Sequence, residues 1–556
     1  MDGELIRLRI WQLVVFAGPI STLAVNPWTN LDPISVVKML CVVICAFSVF
    51  GIFLSKPRDF LNELSKPFKT SILIFLVALS SSLLFSGAPF DQQFWGYFGR
   101  NTGFLTYFSF VVLMLGGVLV KDATLYRRLD FSLVAVSLPV AAYCLIQMSG
   151  NDPIGWSEFA TFATLGNINF LSGFLGLVCV SIFPRVLEKQ KRFLHKVSLS
   201  LLLILHLLII VSTNSIQGLV IFAFGAWISL IIRLKSSKRA LSNQLFVLVV
   251  GIVTSYIGAL GLVNRGPLAF LLYQPSNILR ADYMHAGWQM TLDHPLFGVG
   301  LDSYGDWYRQ ARGEITTLRG SADRNSNAAH SVFLDISSNG GVPLLIAYLF
   351  ILGVIAVSAF RAWKKLGKNY DVVFTCLTST WAAFHFQALI SINQIGVAVW
   401  GWTIGGALYG YSRLIMSNSS EAKKIDSQKL KGKPIPAFTG LLSIVCAFIG
   451  LCLAGIPQQA DSKYFSATKT GQVEILSKAA SALGTTAWHR NLAIDAALTA
   501  KEYKLALEVA NQAQRDYPRS FWPWKVSYML PESPMAKREE ALLILQTLDP
   551  FNPEFR

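Results

Sequence analysis

The sequence predicts an all-α, polytopic membrane helical bundle with a small helical-repeat domain at its C-terminal end. Three observations predict it. Only 14% of the 556 residues are charged and 53% are hydrophobic, whereas an ordinary soluble protein is about 25% charged. Apolar runs recur from the N-terminus to about residue 455 and then stop, each near the roughly 20 residues needed to cross a bilayer core. Lys and Arg collect in alternate loops between those runs.

About 13 spans are expected, at residues 10–26, 34–54, 70–86, 103–120, 131–148, 168–184, 197–212, 217–232, 244–263, 341–360, 372–391, 397–412 and 436–455. The first follows Arg7 and Arg9, as a secretory signal would. Pro19 interrupts it, no small-residue cleavage site follows and more spans come directly after, so it is expected to stay as a membrane helix. All seven cysteines fall inside apolar runs, without a CxxC pair or a His/Cys cluster. They read as buried small hydrophobes, and neither a disulfide framework nor a metal site is expected.

One set of loops is basic: Arg7/Arg9, 56–69, 121–128, 185–196, 233–239, 361–368 and 413–433. The other set, at 26–33, 86–101, 149–169, 212–216, 264–340 and 392–396, is nearly free of Lys. The positive-inside rule makes the first set cytoplasmic. An odd number of spans then puts the N-terminus in the cytoplasm and the C-terminal tail outside. The net charge of +16 is explained by this topology, and nucleic acid is not an expected partner.

The chain divides into residues 1–263 with nine spans, a long extracytoplasmic loop at 264–340, spans ten to thirteen at 341–455, and an extracytoplasmic tail at 456–556. In the tail, Tyr503-Lys-Leu-Ala506-Leu-Glu508-Val-Ala510 runs to Tyr517-Pro518, and Arg538-Glu-Glu-Ala541-Leu runs to Leu548-Asp-Pro550. Small residues three or four apart let paired helices approach closely, and Pro ends each unit. The pattern resembles about two tetratricopeptide repeats; a generic helical hairpin fits it equally. Fewer than three repeats rarely stand alone, so the tail is expected to pack on its own membrane domain, and a protein partner bound through it remains open.

Cations in the Lys-poor loops before the tail are all Arg: Arg100, Arg265, Arg280, Arg309, Arg312, Arg319 and Arg324. The planar guanidinium fork pairs bidentately with phosphate or carboxylate. Arg100 sits in Gly96-Tyr-Phe-Gly-Arg100-Asn-Thr-Gly103 directly before a span, and Arg280 opens an amphipathic stretch at 278–292. His330 lies in Asn325-Ser-Asn-Ala-Ala-His330-Ser-Val-Phe-Leu-Asp335, where an imidazole at the aqueous edge can take a proton from a hydroxyl. His206 and His385 fall inside spans and read as packed core groups. The sequence contains no G-x-x-x-x-G-K-[ST] loop, no H-E-x-x-H and no outer acidic pair of DxD type. A metal-dependent nucleotide-sugar transferase is therefore disfavoured, and a bound pyrophosphate would be neutralised by Arg.

The ordered series Arg280…Trp288…His294-Pro295-Leu-Phe-Gly298-Val-Gly300, Ala329-His330-Ser-Val-Phe-Leu-Asp335 and Gly340-Gly341 resembles the O-antigen ligase and O-antigen polymerase superfamily. Gly99-Arg100-Asn-Thr-Gly103 and Gly166-Asn167-Ile-Asn169 are similar to its outer-loop motifs, so the resemblance covers most of residues 90–415. It implies a membrane glycosyltransferase fold of the C type. It also implies metal-independent, inverting transfer of a glycan from an undecaprenyl diphosphate carrier to a sugar, lipid-linked glycan or protein hydroxyl at the bacterial plasma membrane. No cofactor is implied. By resemblance Arg280 holds the diphosphate, His330 activates or positions the acceptor hydroxyl, and Arg100, Arg265, Asn167, Asn169, Gln217 and Trp288 bind substrate.

Many members carry Ser-Arg-Gly in a short outer turn where this chain reads Ser215-Ile-Gln217-Gly218. Either Arg100 or Arg265 replaces that charge, or the donor differs; Arg100 is the expected replacement because its motif abuts a span. A transporter or flippase of lipid-linked sugars is the alternative. It would place ionisable groups at mid-membrane, often in broken helices of matching halves. Here the polar groups collect at one edge, which favours a transferase.

Overall fold

A computed structural model of the chain describes residues 2–156, 160–188, 192–237, 240–273, 275–320, 322–417 and 435–556. Parts of three expected basic loops, at 189–191, 238–239 and 418–434, lie outside the described residues. Among the described residues all regular structure is helical. The helices are α1 (Asp2–Leu23), α2 (Ser35–Ser55), α3 (Pro57–Glu63), α4 (Lys66–Phe85), α5 (Phe90–Trp95), α6 (Phe104–Val118), α7 (Ala123–Met148), α8 (Ile168–Val186), α9 (Phe193–Ser212), α10 (Gln217–Leu234) and α11 (Ala240–Leu262). The long loop folds as α12 (Ala269–Leu272), α13 (Pro275–Asp293), α14 (Tyr304–Ala311) and α15 (Glu314–Gly320), followed by α16 (Val332–Leu366), α17 (Val372–Ala388), α18 (Ile395–Met416) and α19 (Ala437–Thr468).

Nine of these, α2, α4, α7, α8, α9, α10, α11, α16 and α19, are long and apolar enough to cross a membrane among the described residues. The other four expected spans fall on α1, α6, α17 and α18, which pack within the same bundle. Several helices outrun their expected bounds: α1 and α7 each start eight residues before the expected span. Helix α16 starts nine residues before the expected span and kinks at Gly341, whose φ of 80° and ψ of 170° are not helical. Helix α19 continues through Pro457 to Thr468, so its last turns lie beyond the expected span and lead directly into the tail.

Polar caps set the helix starts. Asp122, Asn167, Asp371 and Gln394 each accept a hydrogen bond from a backbone N–H in the first turn that follows, satisfying a group the helix itself leaves unpaired. In lipid, close packing replaces the hydrophobic effect as the glue between helices, and small residues permit it. Helices α6 and α18 meet in this way: a Cβ on Gly406 would lie 2.0 Å from the Met114 carbonyl oxygen. Around that seam Phe75, Tyr107, Tyr348 and Trp402 form an aromatic centre, with Trp402 5.7 Å from both Phe75 and Tyr348 between ring centroids. Helix α2 runs along α19, α4 along α16, and α8 packs on both α10 and α17.

The tail helices Val473–Ala480, Ala487–Thr499, Tyr503–Asp516, Phe521–Met529 and Met535–Leu548 pack each on the next. The tail also docks on the rest of the chain. Asp549 is buried and accepts bonds from Arg312 at 2.8 and 2.9 Å and from Arg309 at 3.1 Å. The Arg519 guanidinium lies 3.3 Å over the Trp307 ring and donates to Gln310. Tyr517 donates to Asp91 at 2.7 Å, and Phe98 stacks on Trp488. At the root of the tail Asp461 takes bonds from Asn30, the Asp32 backbone and His489.

Candidate functional site

The floor of the site is a close fit between two glycine-bearing segments. His294-Pro295-Leu-Phe-Gly298-Val-Gly300 lies against the Ser338–Gly341 kink: Val299 donates to the Ser338 carbonyl at 2.8 Å, Gly300 to Asn339 at 3.1 Å, and Val342 back to Pro295 at 2.8 Å. Ser82 of α4 donates to the Phe297 and Asn339 carbonyls. Gly298 and Gly341 both have positive φ, at 67° and 80°. Added Cβ atoms there would meet backbone of the opposing segment at 2.4 and 2.3 Å. Only glycine offers both that conformation and that clearance.

Above this floor a buried ionic cluster ties three segments together. The Arg100 Nε lies 3.0 Å from Asp302 and its Nη2 3.5 Å from Asp335, and a third nitrogen donates to the Asn327 carbonyl. Asp302 also accepts from the Tyr97 and Thr102 backbone and from the Thr102 hydroxyl. Asp335 accepts from the Ala329 N–H at 2.8 Å. Burial works against the Arg100 charge, but the two carboxylates outweigh it and hold the guanidinium above its ordinary value. Arg100 is thus enclosed by protein partners: it anchors Asn327 and Asp335 on either side of His330.

His330 has a φ of 55°, a left-handed conformation that costs a non-glycine residue roughly 1–2 kcal/mol and that marks functional sites when held by its surroundings. Its ring stacks on Tyr283 at 5.1 Å, and Tyr283 packs on Tyr308 and accepts from Tyr304 through its carbonyl at 2.6 Å. Burial, with the nearby charges of Arg280 and Arg100, lowers the His330 imidazole to about 4. The ring is therefore neutral at physiological pH. Arg280, on α13, is half-buried and donates to the Ile390 carbonyl at 3.5 Å. No carboxylate pairs with it among the described residues, and burial alone lowers its affinity for a proton. Arg280 is a cation held beside His330 with its charge uncompensated.

The remaining candidates take different places. Asn167 caps α8 through a bond from the Asn169 N–H, and Asn169 in turn accepts from Ser215 at 2.8 Å. Gln217 opens α10 beside these residues, buried, with neither carboxamide atom hydrogen-bonded among the described residues. Arg265 is exposed in the turn after α11, a helix whose contacts are with α10 and α12. Trp288 is 53% exposed, on the same face of α13 as the exposed Leu292 four residues on. That position suits an anchor at the membrane interface. The structure thus joins Arg100 and Arg280 to His330, and sets Arg265 and Trp288 toward the periphery.

Residue types alone did not single out Asp302, Tyr283, Gln387 or Asn393. Asn393 donates to the Tyr107 hydroxyl at 3.2 Å, and Gln387 lies next to Gln217 across Gly173. Asp335 stood in the His330 motif without a role. Among the described residues no three His, Cys, Asp or Glu side chains are grouped to hold a metal ion.

No curated protein matches the chain. A family model described as O-antigen ligase matches residues 201–349, from within α9 through the kink of α16. That stretch holds Gln217, Arg280, His330 and the glycine floor. Over it the chain is similar to the O-antigen ligase family, which supports glycan transfer of ligase or polymerase type by a multi-pass protein of the bacterial inner membrane.

Proposed function

We propose that the protein transfers a glycan from an undecaprenyl diphosphate carrier to an acceptor hydroxyl, by metal-independent inverting chemistry on the extracytoplasmic side of the membrane. The observation that carries this reading is a neutral, strained His330 within electrostatic reach of Arg280, a cation that no carboxylate pairs with among the described residues, at one end of the bundle. His330 takes the proton of the acceptor hydroxyl as its oxygen attacks the anomeric carbon. The bond from that carbon to the diphosphate breaks, and Arg280 stabilises the charge gathering on the leaving diphosphate. Interactions that strengthen only as that charge develops lower the barrier most.

The side assignment rests on charge. The site lies where α8, α10 and α18 begin and α7, α9 and α17 end. Arg185, Arg233, Lys364, Lys365 and Arg413 sit in the last turns of α8, α10, α16 and α18, at the opposite end, which the positive-inside rule assigns to the cytoplasm. Because Arg100 is enclosed by Asp302 and Asp335, we assign it to holding the His330 segment, and leave Arg280 as the cation that meets the diphosphate. The paired helices of the tail are read as tetratricopeptide-like.

Purified protein reconstituted with undecaprenyl diphosphate glycan and acceptor glycans or proteins tests the proposal. Transfer by wild type in the presence of chelator is expected, with His330→Ala and Arg280→Ala each slower by about 100-fold or more, the range for loss of a proton acceptor or an oxyanion partner. Normal rates in both variants would refute the assignment.

A further inference from the structure

Gln217 and Gln387 are each 4% exposed. Gln217 leaves both its Oε1 and Nε2 without a hydrogen-bond partner, and Gln387 leaves its Oε1 unpartnered, among the described residues. Both side chains reach the same point. A Cβ added to Gly173 of α8 would lie 2.5 Å from the Gln387 Nε2 and 3.3 Å from the Gln217 Nε2. Their backbones are well fixed. Ser172 accepts from the Gly218 N–H at 2.8 Å and donates to the Ser215 carbonyl at 2.9 Å, which pins the start of α10. The Gln387 carbonyl accepts from Ile390, whose own carbonyl faces Arg280. The two carboxamides therefore stand together, three of their four polar atoms unpartnered among the described residues, and the Ile390 carbonyl just beyond Gln387 faces the cation of the proposed site.

Leaving a buried polar group unpaired is costly, and polar side chains inside a membrane bundle tend to be functional. On the reading given above, the substrate offers two chemistries, a diphosphate and a carbohydrate. A phosphate presents acceptors only: it would engage the Nε2 groups and leave the Oε1 atoms orphaned. A sugar hydroxyl, or an amide on the ring, donates as well as accepts and satisfies both ends of each carboxamide. We infer that Gln217 and Gln387 form a carbohydrate subsite, which binds a neutral sugar ring of the substrate glycan while the diphosphate lies toward Arg280.

The test is direct binding to the full-length protein without acceptor, so that it does not depend on turnover. The probes are undecaprenyl diphosphate alone and undecaprenyl diphosphate bearing one hexose or one N-acetylhexosamine. Wild type is expected to bind at least one sugar-bearing probe more tightly than the bare carrier. Gln217→Leu and Gln387→Leu should each lose about 10-fold or more of that affinity, with bare-carrier binding unchanged and thermal stability equal or higher, since an orphan polar group has been removed. Equal affinity of wild type for bare and sugar-bearing carrier overturns the subsite. So does unchanged sugar affinity in both variants, or a parallel loss for the bare carrier. A drop in stability with no selective loss of sugar binding assigns the pair a packing role and likewise overturns it. Wild type that binds sugar-bearing carrier selectively, yet transfers glycan to no acceptor, would leave the subsite standing and remove the transferase reading.

Discussion

At the residue scale, His330 shows how position tunes chemistry. Burial and two guanidiniums lower it to about 4, so it stays a neutral proton acceptor at pH values where a free imidazole, near 6.5, is mostly charged. The charges that face it are Arg280 and Arg100, with Asp302 and Asp335 against Arg100. In the proposed mechanism the entering diphosphate offsets Arg280 and makes the imidazole more basic when a proton must be taken. The acid limb of kcat/KM, which reports the free enzyme, is therefore expected near pH 4, and that of kcat at higher pH. Arg280→Gln should move the kcat/KM limb upward. An acid limb of kcat/KM at the ordinary imidazole value, unmoved by Arg280→Gln, would disprove this coupling. His330 and Arg280 stood out in the sequence as candidates because their residue types fell at an edge poor in charge. The enclosure of Arg100 was not legible, since its partner Asp302 lies far along the chain and nothing local marks the pair.

At the element scale, the tail and the long loop form one unit. Asp549 meets Arg312 at the end of α14, Tyr308 of the same helix packs on Tyr283, and Tyr283 stacks on His330. Removing one partner of a buried ion pair costs about 3–5 kcal/mol because the other charge is left bare. Asp549→Ala is expected to speed hydrogen exchange over residues 304–330 and to lower kcat by about 10-fold or more through misplacement of His330, with membrane insertion intact and Asp549→Glu partly restoring both. Unchanged exchange over 304–330 would rule out the linkage. Asp306 belongs to the same helix. Burial raises its carboxyl to about 6, while a bond from Gln92 and the charge of Arg519 oppose that shift. Hydropathy outlined the spans well, because a membrane helix must be apolar over a fixed length. It mis-set the starts of α1, α7 and α16 and the end of α19, where the helix continues past the apolar stretch.

At the scale of the whole molecule, charge asymmetry is the basis of the proposed orientation of the bundle. In a background without the native cysteines, a cysteine introduced at Ile315 should react with an impermeant maleimide on intact cells. One at Lys368 should react only after permeabilisation. Both positions are exposed, so the reverse pattern would overturn the orientation. The sequence by itself determined that the chain is a helical membrane bundle and which loops carry the basic charge, and it put forward Arg280 and His330 as candidate site residues. Hydropathy and charge act locally along the chain, so composition over short windows suffices. Only the tertiary structure decided that Arg100 is enclosed by carboxylates, that Trp288 faces outward, that the tail grips α14, and that Gln217 stands beside Gln387. Each of these depends on segments tens to hundreds of residues apart meeting in space. The edge of the bundle was readable from sequence, but which of its side chains are enclosed by protein partners was settled by packing.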